Sequence, residues 1–261
     1  MTPLLKVKDL SKTYFTGYRG FKRQYAEVLK PVSFELYAGE TLAIVGEAGS
    51  GKSTLARILV GAEYRSGGEI FYQGQEWDKK NIKQRCSLIR MIFQDPNTSM
   101  NPRLTISELL SEPLRFNTKL SRQERHELVA DTLRKVGLLP EHGDFYPNMI
   151  SEGQKQRVAV ARALMLNPKI IIADEALSAL DLSVRAQILN LLLKLQRELG
   201  LSYIFVSHNL NVVRHISDKV LVLHKGMIVE SASTEELFDN PQHEYTQRLL
   251  QEQAQLNRRR G

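Results

Sequence analysis

Four short runs of consecutive apolar, β-prone residues punctuate the chain: residues 41–45 (TLAIV), 91–93 (MIF), 170–173 (IIIA) and 203–206 (YIFV). Apolar side chains on successive rather than alternate positions predict strands covered on both faces, as in a parallel or mixed sheet. Helical periodicity follows two of them, over 53–60 and over 183–199, the latter with Ile188, Leu189, Leu192, Leu193 and Leu195 along one side. Strands alternating with helices predict an α/β layered fold. The stretch up to about residue 40 reads as shorter strands. So do 219–223 and 227–229, joined by a Lys225-Gly226 turn.

Strand signals vanish between Gln94 and Asn167, where the text is charged, broken by prolines and helical at 106–114, 121–136 and 153–166. Ser121 and Glu124 stand at capping-box spacing before the second of these. The predicted organisation is a single domain: a core made of 1–94 and 167–240, a helical insertion over 95–166, and a C-terminal extension over 241–261. No internal repeat or low-complexity linker separates them. Residues 258–261 (RRRG) hold nothing apolar and read as a disordered tail.

With 261 residues, 42% hydrophobic and 25% charged, the chain can bury a substantial core. No apolar run approaches the ~20 residues of a spanning helix. The opening MTPLLKVKDL places charges where an export signal needs an unbroken apolar segment. A single cysteine, Cys86, forms no internal disulfide and cannot build a four-thiolate metal or iron-sulfur site, which points to a reducing compartment. The net charge of +7 leaves nucleic acid, an anionic membrane surface or a phosphate-rich ligand open. That surplus is local. Residues 12–30 hold five basic residues and one acidic, with Tyr14, Phe15, Tyr18, Phe21 and Tyr25 among them, and Arg258, Arg259 and Arg260 supply the rest.

Directly after the first strand stands Gly46-Glu47-Ala48-Gly49-Ser50-Gly51-Lys52-Ser53-Thr54, and a helix follows. In G-x-x-x-x-G-K-[ST] the glycines take backbone conformations barred to other residues, so that successive N–H groups converge on phosphate oxygens at a helix N-terminus. Lys52 would reach the β and γ phosphates, and the Ser53 hydroxyl would sit on Mg2+. The third strand ends in Asp174-Glu175, at the strand end where open α/β sheets bind ligands. Asp174 can hold the metal through its water shell, and Glu175 can polarise an attacking water. Together these predict a Mg-dependent nucleoside triphosphatase.

Further motifs, in order along the whole chain, resemble the ATP-binding subunits of ATP-binding cassette (ABC) transporters. Gln94 in Ile92-Phe93-Gln94-Asp95-Pro96 resembles the lid glutamine that senses Mg2+ and the attacking water. Ser151-Glu152-Gly153-Gln154 resembles the signature motif, which contacts nucleotide held by the opposite subunit. Ser178-Ala179-Leu180-Asp181 is similar to the loop that crosses the dimer interface, and His208 in Val206-Ser207-His208 to the switch histidine at the γ-phosphate. Tyr14 takes the place of the aromatic that stacks on adenine, with Phe15 as the alternative. The resemblance implies a P-loop NTPase (RecA-like) core with an N-terminal antiparallel β-subdomain and an inserted α-helical subdomain. It also implies ATP and Mg2+ as ligands, and two such subunits sandwiching two ATP.

One departure stands out. The family's signature reads L-S-G-G-Q, whereas this chain has Glu152 for the first glycine, adding bulk and like charge where a phosphate docks. The expectation is one weakened composite site in a heterodimer whose other subunit carries an intact signature. Residues 93–103 (FQDPNTSMNPR) and 240–250 (NPQHEYTQRLL) are similar to the oligopeptide/dipeptide transporter ATPases, and within these the chain looks most like the ATPases of the bacterial Sap peptide-transport system. This implies peptides, antimicrobial peptides or polyamines as cargo. The implied partners are a sibling ATPase, two integral membrane permease subunits contacted through 96–110 and, indirectly, a periplasmic binding protein. The implied location is peripheral, on the cytoplasmic face of the inner membrane. Cys86 alone excludes the iron-sulfur cluster of some sibling ATPases. Two other readings are a soluble ABC ATPase acting on nucleic acid or ribosomes, and a regulatory subunit with weak catalysis. No nucleic-acid partner is expected, and the basic-aromatic stretch at 12–30 is read as serving adenine, triphosphate or lipid headgroups.

Overall fold

The computed structural model describes residues 2–78 and 81–258, in two compact units: Met1–Arg85 with Ser202–Gly261, and Cys86–Leu201. The first unit opens with β1 (Leu5–Arg19) and β2 (Lys22–Leu36), an antiparallel hairpin in the register Leu5↔Leu36 to Arg19↔Lys22. Near its base Leu5, Val7 and Leu10 are buried while Lys6 and Lys8 face outward, the pattern of a sheet wetted on one side. From Thr13 to Glu27 no side chain is buried, and Phe21 at the turn is fully exposed. The strands are therefore longer than predicted, at 15 residues each, because backbone pairing continues beyond the buried face. After β3 (Thr41–Val45) and α1 (Lys52–Val60), two strands absent from the sequence expectation complete this sheet. They are β4 (Gly67–Tyr72), antiparallel to β1, and β5 (Gln75–Glu76), and the order is β2-β1-β4-β5.

Helix α2 (Ile82–Leu88) leads to β6 (Ile89–Ile92), which in the second unit pairs in parallel with β7 (Ile170–Asp174). The chain between them is helical: α3 (Pro96–Ser99), α4 (Ile106–Asn117), α5 (Arg122–Lys135), two 3-10 turns and α6 (Glu152–Leu164). Helix starts are set by reciprocal capping. Thr105 with Glu108, Ser121 with Glu124 and Ser151 with Gln154 each exchange side-chain-to-backbone bonds, the second as the spacing predicts. Leu109, Leu110, Leu114, Val129, Leu133 and Val158 are buried between these helices, each such side chain stabilising the unit by roughly 1.5–3 kcal/mol. Helix α7 (Leu182–Leu199) follows β7 and ends at Gly200 with φ +63°.

The chain then returns to the first unit through β8 (Ser202–Val206), α8 (Leu210–Ile216), β9 (Lys219–His224), β10 (Met227–Ser233), α9 (Thr234–Asp239) and α10 (Glu244–Arg258). Here β3 lies between β8 and β9, parallel to both, and β10 closes back on β9 through Lys225 and Gly226, both at positive φ. Ala43, Val45, Val220 and Val222 of these strands form a core with Leu210, Val213 and Leu237, and Tyr245, Leu249 and Leu250 of α10 pack against it. The predicted tail is corrected in part: Arg258 ends α10, and 259–261 lie outside the described residues. Among the described residues no helix is long and apolar enough to cross a membrane.

Candidate functional site

The glycines of the loop between β3 and α1 are fixed by what surrounds them. Gly46 has φ +147°, and a Cβ there would run into the Leu223 carbonyl of β9. Gly51 has φ +105°, and its Cβ would lie 2.9 Å from the Val28 carbonyl of β2. The far side of the loop is tied by the β9–β10 turn, where the Gly226 N–H donates to the Ser50 carbonyl at 3.0 Å. Helix α1 starts at Gly51 with no side-chain cap and no acidic residue in its first turn. The first turn of α1 thus contributes no carboxylate of its own at the positive end of the helix dipole, where a phosphate is favoured. Lys52 is 5% exposed, and its Nζ donates to the carbonyls of Gly46 at 2.8 Å and Glu47 at 2.7 Å, which holds the ammonium inside the loop. Ser53 and Thr54 occupy the first turn of α1, and Ala48 and Gly49 the exposed crown of the loop.

Two other predicted residues belong to this unit. His208 is exposed, two positions beyond the end of β8. Since Val206 pairs with Ile44 and the Ser207 N–H donates to Ile44, it shares a strand end with the loop that starts at Gly46. Tyr14 sits on β1 opposite Ala26, two residues along β2 from the Val28 that limits Gly51. The Lys12 ammonium lies 4.6 Å from the Tyr14 ring centroid. Lys12 is itself held by Glu63 at 2.6 Å and by the Tyr64 carbonyl at 2.7 Å, and its hydrogen bond keeps the Glu63 carboxyl below the usual range. Phe15 points to the other face of the strand. There it meets Tyr18 and Tyr25 edge-on at 5.2 and 5.8 Å.

In the second unit Asp174 is the last residue of β7 and is 8% exposed. Glu175 follows at φ +48°, a left-handed conformation that costs a non-glycine residue of order 1–3 kcal/mol and recurs at functional sites. Ser178 secures it, its N–H and Oγ both donating to the Glu175 carbonyl, at 3.0 and 2.8 Å. Gln94 donates from Nε2 to the same Oγ at 3.4 Å. Ile92 of β6 pairs with Ala173 of β7, so Gln94, Asp174 and Glu175 share one end of a parallel pair. Within this unit the Asp174 carboxylate and the Gln94 amide oxygen are hard oxygen donors of the kind Mg2+ takes. Among the described residues, no group of three or more His, Cys, Asp or Glu could hold a metal.

The signature residues form the start of α6. Ser151 Oγ accepts the Gln154 N–H at 3.3 Å, Gln154 Oε1 accepts the Ser151 N–H at 2.9 Å, and a Cβ on Gly153 would meet Val184 at 3.1 Å. Glu152, expected to add bulk and like charge, is met by Lys155 at 2.7 Å and by the Asn97 amide at 3.3 Å, and Lys155 also donates to Asn97 at 2.8 Å. Its charge is offset within its own unit. Asp181 caps α7, accepting the Val184 N–H at 2.9 Å. Sequence reasoning missed two residues at the phosphate loop. Tyr245 Oη accepts the Glu47 N–H at 3.0 Å, and His224 Nδ1 lies 3.0 Å from the Glu47 carboxylate.

Residues 29–178 match the ABC transporter family. The chain is 51% identical over 249 residues to the putrescine export system ATP-binding protein SapF of Escherichia coli K12, covering 95% of this chain and 92% of the relative. It is 49% identical over 259 residues to the dipeptide transport ATP-binding protein DppF of the same strain (98% and 78%). To the oligopeptide transport ATP-binding protein AmiF of Streptococcus pneumoniae it is 49% identical over 253 residues (95% and 80%). Among solved structures, cbiO1 from Clostridium perfringens, part of the ABC transporter complex cbiONQ, superposes with a TM-score of 0.79 at 29% identity, covering 92% of each chain. A dimeric post-hydrolysis state of an ATP-binding cassette bound to ADP and Pi gives a TM-score of 0.76 at 33% identity, covering 88% of this chain and 98% of that one.

Proposed function

We propose, because this chain belongs to the ABC transporter family, that it is the ATP-binding and ATP-hydrolysing subunit that powers the transport of peptides or polyamines across a bacterial inner membrane. The observation that carries the nucleotide reading is the start of α1, with no side-chain cap, no acid in its first turn, and the Lys52 ammonium buried in the glycine loop beside it. The N–H groups of 49–54 and Lys52 offset negative charge as the γ-phosphate leaves, which is preorganised electrostatic stabilisation. Glu175 accepts a proton from the attacking water, and His208 and Gln94 orient the phosphate and that water. Ser53, Asp174 and Gln94 would hold Mg2+, which would supply positive charge to offset that of the phosphate oxygens.

Ser151, Gly153 and Gln154 serve a nucleotide held by a second subunit, and Asp181 lies in the loop that meets that subunit. The second subunit is a sibling ATPase, and the dimer acts on two membrane permease subunits at the cytoplasmic face, reached through 96–110. This rests on the family and on the transport systems named for the relatives. Glu175→Gln tests the chemistry: it is expected to trap an ATP-bound dimer, and hydrolysis at the unsubstituted rate would overturn the base assignment. Cross-linking from Ser99 or Arg103 to the permease tests the docking, and a contact made only from the opposite face contradicts it.

A further inference from the structure

The stretch 240–250 marks a resemblance in the sequence but has no part in the chemistry above. In the structure it reaches the phosphate loop. Two hydrogen bonds hold the Glu47 backbone, and its carboxylate approaches a buried ring nitrogen that makes no hydrogen bond. The Glu47 N–H donates to Tyr245 Oη at 3.0 Å, its carbonyl accepts Lys52 Nζ at 2.7 Å, and its carboxylate lies 3.0 Å from His224 Nδ1. The His224 and Tyr245 rings lie against each other, with centroids 3.9 Å apart at 31°, so the two residues contact Glu47 as one unit.

Tyr245 is itself well fixed. It packs on the core of β3, β9, α8 and α9, and its N–H donates to His243 Nδ1 at 3.1 Å. The turn that enters α10 is pinned by the Glu230 carboxylate, which accepts the N–H groups of Gln242 and His243 at 2.8 and 3.0 Å. Burial raises the Tyr245 pKa, so the group that meets Glu47 is a neutral hydroxyl.

We infer that Tyr245 is a positioning residue for the phosphate loop, acting through the Glu47 backbone. The other fixings of the loop are the Gly46 contact with Leu223, the Gly226 bond to Ser50 and the Lys52 ammonium on the Gly46 carbonyl, and Tyr245 holds the N–H side of the peptide between Gly46 and Glu47. The Glu47 N–H is spent on this bond rather than on phosphate. Glu47 therefore shapes the cradle instead of touching the nucleotide through its amide, and a loop held in its binding conformation loses less freedom on binding. The C-terminal helix thereby belongs to the nucleotide site. The inference rests on the reading of 46–54 as a nucleotide cradle.

The test is titration of the full chain with Mg2+ and an ATP analogue whose β–γ bridge cannot be hydrolysed, followed by steady-state ATP hydrolysis in the assembled complex. Tyr245→Phe keeps the ring and removes only the acceptor. It is expected to weaken analogue binding about three- to tenfold, the range of one hydrogen bond, and to raise KM by a similar factor with kcat and Tm nearly unchanged. Tyr245→Leu, which also removes the ring that His224 lies on, should weaken binding further. A purely structural role would lower Tm and leave the affinity of the folded fraction untouched, and that result overturns the inference. So does binding by Tyr245→Phe equal to that of the unsubstituted chain. If the unsubstituted chain binds no analogue, the cradle reading falls and the inference with it.

Discussion

Two helix N-termini, one in each unit, follow short motifs with glycine and are built in opposite ways. Helix α1 begins without a side-chain cap or an acidic residue, with Lys52 turned inward beside it. Helix α6 is satisfied by its own side chains: Ser151 and Gln154 cap each other's amides, and Glu152 occupies its first turn, paired with Lys155. A helix dipole favours an anion at either place. The first turn of α1 supplies no side chain to meet that preference, whereas at α6 the helix's own side chains already meet much of it. An incoming phosphate at α6 finds the Ser151 and Gln154 N–H groups already taken and faces a carboxylate whose charge is already offset. The first end is thus suited to hold nucleotide on its own, and the second to a weaker contact made only when another surface closes on it.

The contrast is broken most severely by giving α1 what α6 has. Thr54→Asp puts a carboxylate in the first turn of α1 and is expected to weaken ATP binding by at least about a hundredfold with the fold retained, as read by titration and thermal unfolding. At α6 the effects are smaller. Lys155→Ala leaves Glu152 without its cation and should lower ATP turnover of the assembled complex about three- to tenfold, with Glu152→Gly in the same chain restoring it. Glu152→Gly alone should raise turnover by less than about threefold because Lys155 already offsets the charge. No rise at all would remove the proposal of an asymmetric heterodimer. Ser151→Ala deletes the cap and should destabilise the second unit by about 1 kcal/mol in denaturant unfolding. Smallest is Gln156→Met, also in α6. Gln156 is 1% exposed, with neither amide atom hydrogen-bonded, so an apolar chain of similar volume should stabilise by about 0.5–1 kcal/mol.

How much could be read in the sequence depended on how local the cause was. The loop from Gly46 to Ser53, the strand before it and the helix after it follow from neighbouring residues, and β3 and α1 lie within a residue of the expected bounds. The Ser121 capping box was equally legible. The hairpin was not, because over 13–27 neither face is buried and no alternation marks the pairing. Strand β4 starts at Gly67-Gly68, whose composition argues against a strand, and Gly68 is required because a Cβ there would collide with the Asp9 backbone. The Glu152–Lys155 pair spans three positions and could have been anticipated from helix geometry. The Tyr245–Glu47 bond spans 198 positions, and no periodicity carries such a contact.

The central claim, that the start of α1 receives the phosphates of a nucleotide, is tested most directly by calorimetric titration of the full chain and of Lys52→Ala with ATP, with and without Mg2+. Saturable, Mg-dependent binding to the unsubstituted chain is expected, weakened at least about tenfold by Lys52→Ala, since a charge-assisted contact to phosphate contributes roughly 1.5–3 kcal/mol. Undiminished binding by Lys52→Ala, or no binding by the unsubstituted chain, would contradict the claim.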